Sequence, residues 1–352
     1  MSVKLIPVTW NRNKVIYDLI VIAGIIAYVW VYLRVAPGFQ SVTRPLDGAV
    51  LRMQAFGSCA FILLSIILAI GPLARLDRRF LPLLYNRRHL GVLTCAVAGV
   101  HISYVLGWYF AFSPVDRYEA VLSTNTAYFQ LHGFPFEIFG VFAFLILLVM
   151  AATSHDFWLS FLTPPIWKAL HMLVYAAFAA LVLHVALGRL QTGEPTIMLA
   201  VTTLSVVVVC GLHLSATVVE RERSRQLSSA VEEGWLNAGR AVDIPDGRAK
   251  ILQPETGERI AVFRHGQKIC AVTNVCAHQN GPLGEGRIVD GCITCPWHGF
   301  QYDPETGCAP PPFTEKIATY NVKLEGQDVL VDPEANPAGT RVEPVLLPQE
   351  VA

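Results

Sequence analysis

Six long apolar stretches in the first 219 residues of this 352-residue chain constrain its fold more than any other feature. A helix needs about 20 apolar residues to cross the hydrocarbon core of a bilayer, and each stretch approaches that length. The stretches run near Val15–Leu33, Met53–Leu73, Leu90–Phe112, Phe136–Ala152, Trp167–Leu187 and Thr196–Val218. A soluble protein with a large helical core is the alternative, but the connections between the stretches are short. We therefore predict a membrane all-α six-helix bundle.

The charge of the chain is low and unevenly distributed. Only 15% of the residues are charged, whereas soluble proteins contain about 25%. Residues 1–225 hold 17 Lys and Arg against 10 Asp and Glu, and residues 226–352 hold 10 against 17. No block of basic residues indicates nucleic-acid binding, so we expect no such partner. The partner that the composition indicates is the lipid bilayer.

The distribution of Lys and Arg predicts the orientation in the membrane. With six spans, both termini lie on the same side. The tails and loops of that side contain twelve Lys and Arg residues, and the opposite side contains five. Because basic loops stay in the cytoplasm, we predict cytoplasmic N- and C-termini in a bacterial inner membrane. Residues 1–14 lack a small-residue cleavage site, so we expect the first span to be retained.

The residue pattern changes after the sixth apolar stretch. Residues 220–234 form a polar linker, and short β-type runs broken by Gly, Pro and Asp follow it. They predict a small soluble all-β domain over residues 235–333, with antiparallel strands. Residues 334–352 are rich in Pro and Glu, and we predict a flexible tail there. The membrane domain is predicted over residues 15–219, after a cytoplasmic N-terminus at residues 1–14.

Two Cys-His pairs lie in the predicted β domain. Cys276 and His278 are followed, after sixteen residues, by Cys295 and His298. Two thiolates and two imidazoles match a Rieske 2Fe–2S cluster, in which one iron binds two cysteines and the other binds two histidines. The same four ligands also suit tetrahedral zinc. The ligand spacing alone leaves both metals open.

The sequence around these pairs carries further motifs. Residues 235–332 contain CAHQNGPLGEG, CPWHGFQYD, a following TG turn and a Pro-Pro-Pro segment. With these motifs the region resembles the Rieske ferredoxin family. The resemblance implies one 2Fe–2S cluster, with Cys276 and Cys295 on one iron and His278 and His298 on the other. It also implies that the two ligand loops are hairpin tips and that the proline segment covers the cluster.

The region departs from the cytochrome bc type of Rieske protein, which has an additional disulfide-forming cysteine in each ligand loop. Gly281 and Trp297 occupy those two positions, and Phe300 stands where that type has a serine that hydrogen-bonds the cluster, although Tyr302 remains. Because fewer hydrogen bonds stabilise the reduced cluster, we expect a low potential, towards the end of the Rieske range at about −150 mV. A cluster without a disulfide also suits the reducing cytosol.

Four histidines lie in the third and fifth apolar stretches. His89 and His101 are 12 residues apart, and His171 and His184 are 13 apart, which corresponds to about 18 and 20 Å along a helix. Odd-numbered spans run in the same direction, so the histidines form two pairs at two depths, with His89 and His171 nearer the cytoplasm. Such pairs provide both axial ligands for two b-type haems. Since ligands in one span do not share a face, we expect offset haems or a distorted helix.

Longer motifs surround these histidines. Residues 50–218 contain RRHLGVLTCAVAGVH and a stretch from LVMAATSHDFWLSF to AALVLH. These motifs resemble the ferric reductase-like transmembrane family, which includes NADPH oxidases, ferric reductases and the haem subunit of bacterial periplasmic methionine sulfoxide reductase. The resemblance implies that His101, His171 and His184 bind haem b. His89 is not an established ligand position of the family, so it is either a ligand or an interfacial polar residue. We expect two haems b if His89 is a ligand, and at least one haem b if it is not.

The expected function combines both regions. Members of the ferric reductase-like family usually carry a flavin and nicotinamide-binding module, but here no GxGxxG follows a strand, and GPLGEG does not fit that motif. We therefore expect a separate cytosolic donor, either a flavoprotein reductase or a ferredoxin. Electrons then pass through the cluster and the haems to a membrane or periplasmic acceptor, such as a reductase, a quinone or ferric iron. The expected class is an oxidoreductase or an electron-transfer component.

Two other functions are compatible with the same residues. In the first, electrons run in reverse, from quinol or a periplasmic donor to a cytosolic oxygenase. In the second, the chain is a non-catalytic redox or iron sensor that signals through occupancy of the cluster. The relative potentials of cluster and haems distinguish the two directions of flow, and a sensor shows no steady turnover with any donor and acceptor.

Overall fold

The computed structural model describes residues 12–38, 45–80, 83–84, 86–154, 158, 161–162, 164–191, 196–226, 231–232, 234–255, 257–297 and 299–347. Contacts between residues divide the chain into two compact units, Val8–Ala216 and a second unit that contains Thr217–Ala352. The described residues of the first unit are mainly helical, and β-strands make up the folded body of the second.

The helices correspond to the apolar stretches of the sequence. The described α-helices are α1 (Arg12–Val35), α2 (Pro45–Leu76), α3 (Arg87–Phe112), α4 (Arg117–Ser123), α5 (Glu137–Ala152), α6 (Pro164–Met172), α7 (Val174–Leu187) and α8 (Thr196–Gln226). Within the described residues, five segments are long and apolar enough to cross a membrane: α1, α2, α3, α6 with α7, and α8. α5 is apolar but has 16 residues, about 24 Å of helix for a core of about 30 Å. The predicted multi-pass helical fold is confirmed.

The helices of the first unit enclose an apolar interior. α2 packs against α3, and α5 packs against α7. Phe61 of α2 stacks on Phe178 of α7, with ring centroids 5.8 Å apart and an angle of 10° between the rings. Both rings belong to a buried cluster with Leu64, Cys95 and Leu147. Many other large apolar side chains point outward, as expected where lipid tails surround the helices.

The fifth apolar stretch is not one continuous helix. Leu173 separates α6 from α7. Its backbone N–H donates to the carbonyl of Leu170 (3.2 Å), an i to i−3 bond that is typical of a 3₁₀ turn. The turn lies between His171 and His184 in the chain. It is therefore a helix distortion of the kind that the spacing of these two histidines led us to expect.

The second unit is built from antiparallel strands. They are β1 (Val231–Glu232), β2 (Trp235–Arg240), β3 (Ala249–Leu252), β4 (Ile260–His265), β5 (Lys268–Thr273), β6 (Arg287–Val289), β7 (Cys292–Thr294), β8 (Gln301–Tyr302), β9 (Thr319–Tyr320), β10 (Val322–Glu325), β11 (Asp328–Val331) and β12 (Val345–Leu346). One sheet has the order β1-β2-β11-β10, a second has the order β12-β5-β4-β3 with β9 also paired to β5, and a third has the order β6-β7-β8. The predicted antiparallel all-β domain is confirmed.

Strand β4 separates two apolar cores. Ile260 and Val262 belong to one buried cluster, and Ala261 and Phe263 belong to another, which also contains the two predicted cysteine ligands. Successive side chains of a strand point to opposite faces, so a continuous apolar run fills both cores. Burial of each large apolar side chain contributes about 1.5–3 kcal/mol. The second core is the framework on which the ligand loops are built.

The prediction of a flexible tail over residues 334–352 is wrong for its described part. β12 pairs with β5, and Leu347 is buried, with its N–H donating to the carbonyl of Gln267 (2.8 Å). The N–H of Val342 donates to the carbonyl of Glu305 (2.9 Å). The segment is held because it adds an edge strand to a sheet and contributes a side chain to the core, despite its Pro and Glu content.

Candidate metal centres

The first predicted ligand loop is a tight hairpin tip between the bridged residues Val275 and Pro282. The N–H of Cys276 donates to the carbonyl of Gly281 (2.9 Å), and the N–H of Asn280 donates to the carbonyl of Cys276 (2.7 Å). Asn280 has a φ of 59°, a left-handed conformation that asparagine tolerates better than most residues. The sequence NG at this turn therefore closes the loop and holds Cys276 at its base.

The second predicted ligand loop joins β7 to β8 and repeats this geometry. The N–H of Cys295 donates to the carbonyl of Phe300 (2.8 Å), and the N–H of Gly299 donates to the carbonyl of Cys295 (2.9 Å). Gly299 has a φ of 68°, which glycine adopts without steric cost. His298 lies outside the described residues. The two loops thus present Cys276 and Cys295 in equivalent positions.

The two cysteines meet at the base of the loops. Cys276 is 1% exposed and Cys295 is 2% exposed. The hydrogen bond between the side chains of Cys295 and Cys276 lowers the pKa of the Cys276 thiol to about 7, and the hydroxyl of Tyr302 acts in the same direction, while burial opposes both. The Tyr302 hydroxyl lies 3.4 Å from the Cys276 sulfur. Since the thiolate is the metal-binding form of cysteine, this environment favours metal ligation.

His278 lies beside an aromatic wall. Its ring stacks on Phe300, with centroids 5.0 Å apart and an angle of 4°, and its Nδ1 atom is buried. Phe313, which follows the proline segment, meets Phe300 edge-on with centroids 4.9 Å apart. Phe300 therefore does not replace the hydrogen bond of a serine at this position. It restricts the orientation of the His278 ring and excludes water from that side.

Gly281 and Trp297 occupy the space between the two loops. A Cβ atom on Gly281 would lie 2.6 Å from the Cys295 sulfur and 3.1 Å from Cγ of Trp297. Any side chain at position 281 would therefore displace the sulfur or the indole ring. In the cytochrome bc type, a disulfide joins the two ligand loops. Here the indole of Trp297 packs against Gly281 and connects the loops instead.

His101 and His184 lie next to each other inside the first unit, with their rings nearly perpendicular. Their ring centroids are 6.4 Å apart, and the ring planes make an angle of 84°. The Nδ1 atom of His101 hydrogen-bonds to the carbonyl of Met53 (2.8 Å), and that of His184 to the carbonyl of Phe136 (3.0 Å). A carbonyl accepts only, so Nδ1 carries the proton in both rings and Nε2 is the atom that is left to bind a metal.

His171 has the same pattern within one helix. Its Nδ1 atom donates to the carbonyl of Trp167 (2.9 Å), and its ring stacks on the Trp167 indole with centroids 3.8 Å apart. The Nε2 atom is buried, and no described residue hydrogen-bonds to it. A buried nitrogen of this kind is costly unless a further group satisfies it. His171 is thus suited to ligate a metal through Nε2.

His89 has a charged partner. Its Nδ1 atom lies 2.8 and 3.0 Å from the two carboxylate oxygens of Asp18 in α1. Both side chains are largely buried, at 15% and 14% exposure. Metal-binding histidines commonly donate their second ring N–H to a carboxylate. The sequence did not indicate this partner, because the contact joins residues 71 positions apart.

Glu137, the first residue of α5, is 6% exposed. Its Oε1 atom accepts hydrogen bonds from the hydroxyl of Tyr109 (2.8 Å) and the amide of Asn125 (2.5 Å). The carboxylate therefore holds the C-terminal part of α3, the loop after α4 and the start of α5 together. Adjacent Phe136 supplies the carbonyl partner of His184, so this network supports the histidine pair.

Both regions match known families. Residues 234–321 match the family described as Rieske [2Fe-2S] domain, and residues 56–182 match the family described as ferric reductase like transmembrane component. The Rieske region is 37% identical over 100 residues to the 3-phenylpropionate/cinnamic acid dioxygenase ferredoxin subunit of Shigella boydii serotype 4, across 91% of that protein and 27% of this chain. The chain belongs to the Rieske [2Fe–2S] domain family. Its helical part is a ferric reductase-like transmembrane component.

Two further similarities concern the Rieske domain. The ferredoxin component of the naphthalene 1,2-dioxygenase system of Pseudomonas aeruginosa is 35% identical over 103 residues, which cover 96% of that protein and 28% of this chain. The solved structure of the Sphingomonas yanoikuyae B1 ferredoxin is 29% identical over 99% of its length and 28% of this chain, with a TM-score of 0.27. The matched region makes up 91% and 96% of the two dioxygenase ferredoxins, whereas this chain joins a Rieske domain to membrane helices. The chain is therefore a multi-pass membrane electron-transfer protein.

The described residues fit both implied cofactors, the 2Fe–2S cluster and a haem with two histidine ligands. Two buried sulfurs in contact, with an oriented histidine beside them, suit the 2Fe–2S cluster of a Rieske domain. Two imidazoles on opposite sides of one metal ion, with metal–nitrogen bonds of about 2 Å, have ring centroids about 6 Å apart. The separation of His101 and His184, at 6.4 Å, fits that arrangement.

Proposed function

We propose that the chain carries single electrons from a cytosolic donor, through a Rieske cluster and b-type haems, to an acceptor in the membrane or at its far face. The observation that carries the proposal is the His101–His184 pair, whose centroid separation of 6.4 Å suits one bis-histidine haem. It lies in a chain whose other domain is a Rieske domain. Bis-histidine ligation satisfies both axial positions of haem iron and suits electron transfer.

The proposed ligands follow from sequence and geometry together. Cys276 and Cys295 hold one iron of the cluster, and His278 and His298 hold the other. This is the set that the Cys-His motifs predicted. The loops fix the cysteines, the Tyr302 hydroxyl lies within hydrogen-bond distance of the Cys276 sulfur, and Phe300 orients His278. Such a cluster accepts and releases one electron at a time when it is bound.

A second haem is proposed at His171. The buried Nε2 atom of His171 supports its role as a ligand, and its ring lies within electrostatic range of Arg87 and Arg88, at the start of α3. His89 follows directly in that helix and is held by Asp18. We propose His89 as the opposite ligand of this haem. The two arginines are suited to neutralise its propionate groups.

The proposal includes the direction of electron flow and the electron donor and acceptor. The basic loops support cytoplasmic termini in a bacterial inner membrane, which places the Rieske domain in the cytosol. The sequence has no dinucleotide-binding fingerprint after a strand, so the donor is a separate flavoprotein reductase or ferredoxin. The acceptor is a reductase, a quinone or ferric iron at the opposite side, nearer the His101–His184 haem.

The test is electron transfer within the purified chain. A flash-generated flavin semiquinone reduces the detergent-solubilised protein, and the optical bands of cluster and haem are followed in time. We expect the cluster to be reduced before the haem. In the Cys276→Ser protein, we expect the haem reduction that normally follows cluster reduction to be lost. Cys292→Ser is the matched control, because Cys292 lies in the same domain outside the ligand loops. Equal haem reduction in the Cys276→Ser and control proteins would contradict this route.

Reverse flow to a cytosolic oxygenase is the second candidate. It is favoured by the relatives of the Rieske domain, which are ferredoxins of dioxygenase systems. Electrons run toward the centre of higher potential. Redox titration therefore separates the two directions: a cluster potential below both haem potentials supports outward flow, and a cluster potential above them supports the oxygenase route.

A further inference from the structure

The hydrogen bond of His101 depends on a glycine in the neighbouring helix. Its Nδ1 atom reaches the carbonyl of Met53 in α2, at 2.8 Å. Gly57 follows Met53 by one helical turn. A Cβ atom on Gly57 would lie 2.8 Å from Nδ1 and 2.9 Å from Cε1 of the imidazole, which is closer than these atoms can pack. Thus the ring occupies the place where a side chain at position 57 would lie.

The hydrogen bond of His184 is built in the same way on a different pair of helices. Its Nδ1 atom reaches the carbonyl of Phe136, at 3.0 Å. Gly140 of α5 follows Phe136 by four residues, the same spacing as before. A Cβ atom on Gly140 would lie 2.8 Å from both Cε1 and Nδ1 of His184. The chain therefore repeats one arrangement at both members of the histidine pair.

The spacing of four residues has a physical reason. Cα–Cβ bonds of an α-helix tilt toward its N-terminus, so the side chain of residue i+4 leans over the carbonyl of residue i. Glycine at i+4 uncovers that carbonyl on the helix surface. An imidazole from a packed helix can then approach edge-on and donate a second hydrogen bond to it.

Other helical glycines of this unit do not share the property. A Cβ atom on Gly48, Gly91, Gly99 or Gly107 would meet no heavy atom within 4 Å. A glycine within a helix costs about 1 kcal/mol relative to alanine. At Gly57 and Gly140 this cost is offset by a hydrogen bond to a histidine, whereas the other four positions have space for a methyl group.

We infer that Gly57 and Gly140 are positioning residues for the haem ligands: each lets one imidazole lock onto a helix carbonyl, and together they fix the rings at 84° to each other. The inference rests on the proposed function, in which His101 and His184 hold one haem. Ring orientation sets the electronic anisotropy of low-spin ferric haem. Nearly perpendicular rings give a highly anisotropic EPR signal, with a larger maximum g value than parallel rings.

The test compares Gly57→Ala and Gly140→Ala with Gly99→Ala in the full chain. Gly99 lies in the same helix as His101 and has open space around it, so it controls for the loss of a helical glycine. We expect the maximum g value to fall in the first two variants and to stay unchanged in the third. We also expect haem transfer to apomyoglobin to become about fivefold faster, the factor for the loss of one hydrogen bond.

Wild-type EPR spectra and haem transfer rates in both glycine variants would overturn the inference. His101→Ala and His184→Ala separate this result from failure of the proposed function. If those two variants keep the full haem content, the ligand assignment is wrong. If they lose haem while the glycine variants behave as wild type, only the positioning role is wrong. The two glycines lie in different helices. If one variant protein does not accumulate in the membrane, the EPR spectrum and haem transfer rate of the other variant still test the positioning role.

Discussion

Each of the four proposed haem-ligand histidines uses its Nδ1 atom for a hydrogen bond inside the protein. Three of the partners are backbone carbonyls, and the partner of His89 is a carboxylate. This difference matters because a carboxylate makes the ring more basic and stabilises a more positive metal. The sequence could predict the histidines from their spacing in apolar stretches. It could not predict their partners, since those contacts depend on which helix faces come together.

Asp18 is expected to tune one haem and not the other. Replacing it with Asn removes the negative charge beside His89 and destabilises the ferric form, so one haem potential should rise by several tens of millivolts, about 60 mV for each tenfold change in equilibrium. Potentiometric titration of the α-band measures this. Asp77→Asn is the charge-matched control, because Asp77 pairs with Arg79. Unchanged potentials in Asp18→Asn would remove His89 from the ligands.

Tyr302 is expected to raise the cluster potential. Its hydroxyl lies 3.4 Å from the Cys276 sulfur, where it stabilises the added negative charge of the reduced cluster. Tyr302→Phe should lower the midpoint potential by about 40 mV, the equivalent of a hydrogen bond of about 1 kcal/mol. EPR-monitored titration is the measurement. Tyr320→Phe provides the control in the other core of the domain, and a fall of similar size in both variants would contradict a specific role.

At the scale of elements, local patterns predicted the helices and most strands, while tertiary contacts decided the exceptions. The apolar run of β4 predicted a strand because both of its faces are buried. β12 has two residues and forms only because β5 offers an open edge, so the sequence of residues 334–347 suggested a flexible tail. Similarly, the ligand loops are recognisable from their motifs, but the packing of Trp297 on Gly281 is visible only when the two loops meet.

The contact between the ligand loops predicts the effect of a small side chain at position 281. Its Cβ atom would lie 2.6 Å from the Cys295 sulfur, and such overpacking costs about 1–3 kcal/mol. Gly281→Ala should therefore reduce the iron and acid-labile sulfide content per purified chain by several-fold. Gly326→Ala, at the turn between β10 and β11, is the control: a Cβ atom there meets no heavy atom within 4 Å, so this variant strains only the backbone, whose φ is 64°. Equal cluster contents in the two variants would show that the loops tolerate the methyl group.

The whole molecule joins two electron-transfer domains with opposite charge. The motifs of each domain were sufficient to predict both families, because metal ligands require fixed residue types at fixed spacing. The haem number, the donor and the acceptor do not follow in this way. They depend on pairings between distant helices and on surfaces of other proteins. Orientation in the membrane also remains a prediction, which rests on the excess of Lys and Arg on one side.

Reporter fusions test that orientation. Green fluorescent protein at the C-terminus should fluoresce, since it matures in the cytoplasm. Alkaline phosphatase inserted between α4 and α5 should be active, since the predicted topology puts that loop in the periplasm. The same two reporters exchanged between the two positions are the matched controls and should be inactive. Active phosphatase at the C-terminus would place the Rieske domain outside the cytosol and exclude a cytosolic donor.

The proposed electron path requires that one chain holds both a Rieske cluster and membrane haems. Low-temperature EPR of the purified chain, with haem quantified as the pyridine haemochrome in the same sample, measures both cofactors at once. We expect one Rieske-type signal in the reduced protein, highly anisotropic low-spin ferric haem in the oxidised protein, and two haems b per chain. A preparation that contains zinc in place of iron–sulfide, or that has no Soret absorption, would contradict the proposed path.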